Sequence, residues 1–275
     1  MINEFERYRI DFADLNNFTI QLNSPFILSI TKDEVDFDFL IRVKKRNDKA
    51  IIFGSGAYDA SSELEPPIFQ RHKWMEHFDE TLIFYNDPTL YLGEINIGWG
   101  FGTGDRHYLT EIAEILEILL EKINLKKEKT LFYGSSAGGF MSLLLGGLLK
   151  GSKVLVNNPQ TIVWNYYDRH VNAMFETTKP SLSRKEIIES YSEKLNVRDF
   201  YKKIKYVPEI TYLQNVTSGR DLTHHLNPFI LGLSHLSDDY YTKEMKIQLY
   251  SDIKRGHNPI GINETIYRIK NTINN

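Results

Sequence analysis

The chain has 275 residues, of which 41% are hydrophobic and 25% charged, a composition typical of a globular protein with a sizeable core. With a formal net charge of -3, it offers no broad basic surface for nucleic acid or an anionic membrane. The absence of cysteine excludes disulfides, thiolate catalysis and zinc–thiolate sites. We predict one domain over residues 1–275, because this length suits a single large α/β domain.

The amino-terminal stretch MINEFE is polar and acidic, unlike a secretory signal, which places a basic segment before an apolar one. The apolar run at 143–149 is broken by two glycines and is too short to span a bilayer. We therefore expect a cytoplasmic protein without a membrane span.

Apolar, β-branched and aromatic residues predict strands in the first third of the chain. These strands are FTIQL (18–22), FILSI (26–30), VDFDFLIRV (35–43), AIIFG (50–54) and TLIFY (81–85). The third alternates apolar and polar residues, as a half-buried strand does. The first two are separated by a short turn, so the chain is expected to begin with antiparallel strands.

From Tyr108 onward, helices and strands are predicted to alternate. YLTEIAEILEILLEKINL and GGFMSLLLGGLLK are expected helices, and NETIYRIKNTI is a last helix with Asn263 as its N-cap. The strands between them are KTLFYGSS, SKVLVNN, EITYLQN and MKIQLYS. This alternation predicts an α/β fold whose central sheet is mostly parallel and flanked by helices on both faces.

The interval between the strands VLVNN and EITYL is longer than a simple crossover requires. Within it, Ser183 and Glu186 form a capping-box pattern ahead of a helix. We predict that residues from about 160 to 208 form an inserted helical lid rather than a second domain.

A glycine-rich turn joins a predicted strand to a predicted helix. Gly134-Ser135-Ser136-Ala137-Gly138 has the pattern G-x-S-x-G of a nucleophile elbow. The glycines remove Cβ atoms that would clash where strand and helix cross. Ser136 would then project at the carboxyl end of the sheet, at a helix N-terminus that favours developing negative charge. We predict that Ser136 is a nucleophile; an ordinary tight turn is the alternative.

A serine nucleophile needs a base and an acid, which follow it in the chain order Ser, acid, His in this arrangement. Among eight histidines, His257 lies on the loop between the last predicted strand and the final helix, so we predict that it is the base. Asp221, after the preceding strand, is predicted to orient the imidazole. Asp168, after VLVNN, is the alternative acid.

Two backbone N–H groups should stabilise the oxyanion. One is expected from Ala137, which follows the nucleophile in the chain. The other is expected from Ala57 or Gly56, which follow the strand AIIFG. This chemistry requires neither a metal nor an organic cofactor, so we expect none.

Aromatic residues and a histidine are the candidate substrate-binding groups. Trp99, in the glycine-rich loop GWGFGTGD, is expected to line the cleft. Trp164, Tyr166 and Tyr167 are expected near the rim of the lid, where they either stack on a sugar ring or anchor the lid to the core. His224 is expected to line the site or, alternatively, to begin a helix.

Several stretches together resemble a known family. They are FYGSSAGGF, VNNPQT (156–161), YLQN with RDLTHHLNPF behind it, and GHNPI (256–260). In these stretches the chain resembles the α/β-hydrolase-fold proteins of bacterial surface-polysaccharide and capsule gene clusters. Those proteins are related to the serine-hydrolase-like accessory Sec component that modifies glycans on exported adhesins. The resemblance implies an α/β-hydrolase fold, with Ser136 and His257 catalytic and an acid near Asp221.

We predict a serine hydrolase or acyltransferase acting on ester-linked acyl groups, with acetyl groups on surface glycans or their precursors as the expected substrates. An acyl-enzyme on Ser136 would pass its acyl group to water or to a sugar hydroxyl. The alternative is a catalytically silent partner of a glycosyltransferase or export system. A peptidase or lipase is a further alternative, although the charged segment 162–208 does not suit a lipase lid. A protein partner in polysaccharide biosynthesis is compatible with these roles.

Overall fold

The computed structural model describes residues 4–59, 61, 64–241 and 244–275. In this part of the chain, nine strands form one sheet in the order β1-β2-β3-β5-β4-β6-β7-β8-β9. The strands are β1 (Glu6–Asp11), β2 (Phe26–Lys32), β3 (Val35–Arg42), β4 (Ala50–Gly54), β5 (Thr81–Tyr85), β6 (Thr130–Ser136), β7 (Lys153–Pro159), β8 (Glu209–Asn215) and β9 (Lys246–Tyr250).

Strand pairing changes from mixed to wholly parallel across the sheet. β2 pairs with β3, and β3 with β5, in antiparallel fashion, whereas β1 runs parallel to β2. Every pair from β5 to β9 is parallel. All residues of β4 and β5 are buried, which is why both read as continuous apolar runs. The predicted α/β fold with a mostly parallel sheet and antiparallel strands near its start is confirmed.

Helices cover both faces of this sheet. The α-helices are α1 (Tyr108–Lys122), α2 (Ala137–Leu148), α3 (Asp168–Thr178), α4 (Arg184–Ser190), α5 (Ser192–Leu195), α6 (Val197–Ile204), α7 (Gly219–Asp221), α8 (Asn227–Leu233) and α9 (Ile262–Asn274). Short 3-10 turns lie at Phe12–Asp14, His72–His77, Pro88–Tyr91, Lys127–Lys129, Val163–Asn165 and Asp238–Tyr240, and a π-helical turn lies at Leu222–Leu226. Across the described ranges, we find no helix with the length and apolar character of a membrane span.

Successive residues of a strand contribute to opposite faces of the sheet. In β4, Ile52 belongs to the larger apolar cluster, which includes buried residues of α1, α2 and α3. Its neighbour Ile51 belongs to the smaller cluster, together with Ile269 and Ile273 of α9. The sheet is therefore the middle layer of the fold, and its carboxyl edge opens between the helices.

The long interval between β7 and β8 is helical, as predicted, and carries α3 to α6. Ser183 and Glu186 form the predicted capping box at the start of α4. Val171, Met174 and Leu195 of this segment are buried in the larger cluster. The segment is therefore a packed layer of the core beside the sheet edge.

One predicted strand is wrong. In the stretch FTIQL (18–22), only Leu22 forms a β-bridge, and that bridge is an isolated one with Val43. The edge of the sheet beside β2 is occupied instead by β1, in which only alternate residues are partly buried. Pairing with β2, which the local sequence does not reveal, decides which segment becomes the edge strand.

The predicted N-cap of the last helix is also wrong. The residue that caps α9 is Gly261, in an extended conformation, and Asn263 lies within the first turn. The N–H of Thr265 donates to the Gly261 carbonyl oxygen over 2.9 Å, which starts the helix two residues earlier than the asparagine suggests.

Candidate active site

The strand-to-helix turn at Ser136 has the geometry of a nucleophile elbow. β6 ends at Ser136, whose backbone has a φ of 54° and a ψ of -126°, a conformation that non-glycine residues rarely adopt. A Cβ atom on Gly134 would lie 2.1 Å from the Gly138 carbonyl oxygen. A Cβ atom on Gly138 would lie 2.5 Å from the Gly54 carbonyl oxygen. The two glycines therefore permit a backbone crossing that any larger residue would prevent.

Ser136, His257 and Asp221 form one hydrogen-bonded row. His257 Nε2 is 3.0 Å from Ser136 Oγ, and His257 Nδ1 is 2.8 and 2.9 Å from the two carboxylate oxygens of Asp221. Because a carboxylate only accepts, Nδ1 carries the proton and Nε2 presents its lone pair to the serine hydroxyl. This arrangement suits general-base chemistry at Ser136.

The structure separates the two candidate acids. Asp221 faces His257, and only 5% of its side chain is exposed. Asp168 begins α3, pairs with Arg184 over 3.0 Å and has an 80% exposed side chain. Asp221 is therefore the acid that the fold brings to the histidine, and the alternative at Asp168 does not fit.

Asparagine amides hold the loop that carries His257. The Asn158 amide donates to the carbonyl oxygens of His257 and of the residue after it, over 3.0 and 3.2 Å. The Asn215 amide donates to the carbonyl oxygens of Asp252 and Gly256, over 2.7 and 2.9 Å. The sequence reasoning missed these contacts, although amides at the carboxyl ends of two successive predicted strands were an available signal.

A buried glutamine also contacts the nucleophile and was missed in the sequence analysis. The Gln160 side-chain amide donates to Ser136 Oγ over 3.0 Å, and its backbone N–H donates to the Ser136 carbonyl oxygen over 3.1 Å. Gln160 Oε1 accepts the indole N–H of Trp99. Ser136 Oγ therefore accepts one hydrogen bond from Gln160 and donates one to His257.

One of the predicted oxyanion donors is already occupied. The Gly56 N–H donates to Gln70 Oε1 over 2.9 Å, so it does not face a substrate. The Gln70 amide also donates to the Ala57 carbonyl oxygen over 3.0 Å. Within the described ranges, the Ala57 N–H has no acceptor, and Ala137 begins α2, where an N–H has no intrahelical partner. Ala57 and Ala137 remain as the candidate pair, and the choice of Gly56 is wrong.

Trp99 lines a small cavity of about 10 Å³ rather than an open cleft. The side chain is fully buried, and its N–H is used by Gln160. The loop around it is tied down because the Asp87 carboxylate accepts the Gly100 N–H over 2.8 Å. Burial raises the pKa of Asp87 in spite of this bond. A tryptophan is usually buried only where its indole N–H has an acceptor. For Trp99 that acceptor is Gln160, which lies 61 residues further along the chain, so the local sequence does not predict the burial.

His224 and His225 have different surroundings. His224 is half-buried, and its carbonyl oxygen accepts the Asn165 amide over 3.0 Å. His225 is buried, its Nδ1 accepts the Thr161 N–H over 3.3 Å, and burial lowers its pKa to about 3. The sequence-based prediction chose His224, whereas its neighbour His225 is the histidine that packs into the core beside Thr161.

The aromatic residues near the inserted helices contact one another. Tyr166 lies between Trp99 and Tyr167, with ring centroids 5.8 and 4.9 Å away. The Arg220 guanidinium covers the Tyr167 ring at 4.3 Å, and Trp164 packs against the larger apolar cluster. These contacts favour the anchoring role over stacking on a sugar. In the part of the chain that the structure describes, no group of three or more His, Asp or Glu side chains is arranged to hold a metal ion.

Two cavities lie side by side at this edge of the sheet. The smaller, of about 10 Å³, is lined by Ala137 and Met141, among other residues. The larger, of about 720 Å³, lies between the loops after β4 and β5 and the start of α3. Leu90, Asn96 and Ile97 line both, so the large cavity adjoins the one that reaches the candidate oxyanion donor.

The chain has an α/β-hydrolase-like fold, in which a mostly parallel sheet lies between helices. It is similar to a capsule O-acetyltransferase of Neisseria meningitidis serogroup A, solved in complex with CoA, at 19% identity over 94% of this chain and 99% of that chain, with a TM-score of 0.69. It is also similar to acetyl xylan esterase 1 from Thermoanaerobacterium, at 13% identity over 93% of this chain and 85% of that chain, with a TM-score of 0.57.

Among curated proteins, the chain is similar to an accessory Sec system protein of Staphylococcus aureus, at 27% identity over 108 residues. The match covers 37% of this chain and 21% of that protein, so the chain spans about a fifth of the relative's length. No protein-family model matches the chain. The resemblance that the motif stretches indicate is confirmed by these similarities.

Proposed function

We propose that this protein is a serine enzyme that hydrolyses or transfers ester-linked acyl groups on a glycan or glycan precursor. The observation that carries the proposal is the row of Ser136, His257 and Asp221, joined by contacts of 2.8 to 3.0 Å at a strained strand-to-helix turn. The fold that the chain shares with an O-acetyltransferase and an acetyl xylan esterase supports the same chemistry.

In the first half-reaction, Ser136 Oγ attacks the ester carbonyl carbon while its proton moves to His257 Nε2. The oxygen that becomes negative accepts the N–H groups of Ala57 and Ala137. When the carbon–oxygen bond breaks, His257 gives its proton to the departing alcohol oxygen, and an acyl-enzyme remains. Asp221 keeps the imidazole in the required tautomer and stabilises its cation.

In the second half-reaction, water or a sugar hydroxyl attacks the acyl-enzyme. His257 takes the proton of the attacking oxygen and returns it to Ser136 Oγ as that oxygen leaves. Water gives hydrolysis, and a sugar hydroxyl gives acyl transfer. The same three side chains serve both reactions, so the molecule held beside Ser136 decides between them.

The smaller cavity supports a short acyl group. It has room for about one water molecule, with a volume of about 10 Å³, beside Ala137. Met141 and Leu90 line it, and both are buried, so added methylene groups would have to displace core side chains. We propose that acetyl is the acyl group this site accepts best.

The larger cavity supports a sugar as the second substrate. Tyr58 and Tyr91 offer aromatic rings, and Glu65, Glu94 and Arg169 offer charges of both signs around a volume of about 720 Å³. Aromatic surface combined with hydrogen-bonding groups suits a sugar ring, whose faces are apolar and whose rim is polar. The two carboxylates disfavour a polyphosphate here.

The names of the similar proteins point to the setting. One of them is a capsule O-acetyltransferase, and another is a protein of an accessory Sec system. We propose that the substrate is a bacterial surface glycan or its precursor, that the reaction takes place in the cytoplasm, and that a protein partner of the same pathway takes part.

The test of the nucleophile is labelling with a fluorophosphonate probe, mapped by mass spectrometry, together with turnover of p-nitrophenyl acetate. We expect the label on Ser136 and no turnover in Ser136→Ala. Ser135→Ala is the matched control, because Ser135 is adjacent but its Oγ accepts from Arg71 over 2.6 Å and takes no part in the row. Equal ester turnover by wild type and Ser136→Ala would overturn the proposal and favour the silent-partner alternative.

The choice between hydrolysis and transfer is tested by supplying an acetyl donor with and without a neutral oligosaccharide. We expect acetylated sugar to form at the expense of free acetate, and a Tyr58→Ala variant to lose the transfer more than the hydrolysis. Release of acetate at the same rate whether or not sugar is present would show that the enzyme is a hydrolase without a sugar site in this cavity.

A further inference from the structure

Resting on the proposed function, we infer that Gln160 and Trp99 form a positioning pair that directs the Ser136 proton to His257 and stabilises charge on Ser136 Oγ. Gln160 donates to Ser136 Oγ over 3.0 Å, and its Oε1 accepts the Trp99 N–H. Both side chains are fully buried. A serine nucleophile with its base and acid does not require such a pair. Gln160 and Trp99 therefore constrain Ser136 in addition to His257 and Asp221.

The indole decides which way the glutamine amide faces. An indole N–H is only a donor, so it must meet the amide oxygen of Gln160. If the amide were turned over, two donors would face each other at Trp99, and a buried donor without an acceptor is costly. The amide NH₂ is thereby kept on the side of Ser136.

The amide orientation in turn decides where the serine proton points. Ser136 Oγ accepts a hydrogen bond from the Gln160 amide. No acceptor for the hydroxyl proton of Ser136 therefore lies on that side. The remaining partner is the lone pair of His257 Nε2, 3.0 Å away. A turned amide would offer Ser136 a competing acceptor, and the hydroxyl would then spend part of its time pointing away from its base.

The same N–H acts on the reacting oxygen in both half-reactions. Oγ gains negative character as its proton leaves during attack, and again as it is expelled from the acyl-enzyme. A hydrogen bond to a charged acceptor is stronger than one to a neutral acceptor, so Gln160 favours the charged states over the resting state. The backbone bond from Gln160 to the Ser136 carbonyl oxygen, at 3.1 Å, fixes the donor at this place.

Three variants separate this role from simple packing. Gln160→Met keeps the volume and removes the donor, and we expect labelling of Ser136 and kcat for p-nitrophenyl acetate to fall about tenfold to a hundredfold, with KM little changed. Gln160→Glu retains an acceptor for the Trp99 N–H but turns the donor beside Ser136 into an acceptor. Because burial raises the pKa of a carboxyl, the two variants are compared from about pH 6 to about pH 10. On the alkaline side, where the carboxyl is ionised, we expect Gln160→Glu to be slower than Gln160→Met.

Trp99→Phe frees the amide to turn over, and we expect a loss of about threefold to tenfold in the labelling rate. In the double variant with Gln160→Met, the tryptophan substitution should cost nothing further, since the group that it orients is gone. Thermal unfolding of every variant, with the buried but distant Ile30→Val as the control for general loss of packing, confirms that the rates are those of folded protein.

The outcomes distinguish this inference from the proposed function. If wild type is not labelled at Ser136, the proposed function itself fails. If wild type is labelled and the Gln160 variants react at the wild-type rate, the positioning role fails while the enzyme stands. If Gln160→Glu is faster than Gln160→Met on the alkaline side, or if the two substitutions act independently, Gln160 and Trp99 are packing residues and the inference is overturned.

Discussion

Ser136 ends an interior strand of the sheet, whereas His257 lies on a loop that follows the edge strand β9. Every residue of β6 before Ser136 is buried, while β9 is exposed except for half-buried Tyr250. Close packing of backbone atoms fixes the serine turn, and side-chain amides from two neighbouring strands fix the histidine loop. Close backbone packing therefore holds the nucleophile in place, whereas side-chain hydrogen bonds hold the base. A single hydrogen bond contributes less than the packed backbone crossing and can be removed by one substitution.

This difference implies that the two halves of the site should fail in different ways. Damage to the glycine crossing should unfold the protein, because strand, turn and helix share one packed core. Damage to the amide contacts should leave most of the fold and misplace the base. Four substitution experiments test this contrast, in order of decreasing effect.

The largest effect is expected from Gly134→Ala. The new Cβ would lie 2.1 Å from the Gly138 carbonyl oxygen, and backbone there cannot shift without separating β6 from α2. We expect the free energy of unfolding to fall by about 3 kcal/mol or more, measured by urea denaturation. Gly219→Ala is the matched control, because a Cβ there meets no atom within 4 Å. Equal stability of the two variants would contradict steric fixation of the turn.

The second effect is expected from Asn215→Ala, which removes the amide that donates to the carbonyl oxygens of Asp252 and Gly256. We expect the free energy of unfolding to fall by about 2 to 3 kcal/mol and kcat for p-nitrophenyl acetate to fall at least about tenfold. The exposed Asn271→Ala on α9 serves as the control. Unchanged kcat in a less stable Asn215→Ala protein would show that the loop keeps its position without the amide.

The third effect concerns pH and two histidines, buried His225 and half-buried His107. Burial lowers the pKa values of His225 and His107 to about 3 from an ordinary 6.5, so the unfolded chain binds protons that the folded chain does not. Stability should therefore be highest above about pH 6.5 and should fall by about 2 kcal/mol per histidine between about pH 7 and pH 5.

The contribution of each histidine is measured by urea denaturation at both pH values. His225→Gln should remove the part of the pH dependence of stability that His225 contributes. His107 lies away from Ser136, and His107→Gln should remove a similar part. If the free energy of unfolding depends on pH in the same way in wild type and in both variants, other groups are responsible.

The smallest effect is expected from Tyr167→Ala. The side chain is 53% exposed, and Arg220 covers its ring, so it has little to offer a substrate. We expect less than about a twofold change in kcat/KM and less than about 0.5 kcal/mol in stability, as for Tyr267→Ala, a control with a 57% exposed side chain. A tenfold loss of acetyl transfer to sugar in Tyr167→Ala would restore the sugar-stacking interpretation.

The elements that could be predicted from the sequence are those with a local cause. Alternating apolar and helical patterns predict the parallel strands and the helices between them, since each pattern depends on residues within a few positions. The spacing of Gly134, Ser136 and Gly138 determined the elbow, and Ser183 with Glu186 determined a helix start. The position of His257 after the last strand also followed, because chain order and sheet order agree there.

The contacts between side chains of the site depend on the tertiary structure. The contacts of Gln160 with Ser136, Asp221 with His257, and His257 with Ser136 join residues that lie 24, 36 and 121 positions apart. No local pattern distinguishes Asp221 from Asp168. The choice of Asp221 over Asp168 rests on the burial of the carboxylate and on the direction of its hydrogen bonds at the carboxyl edge of the sheet. Both are set only after distant strands have paired, because each buried polar group must then find a partner.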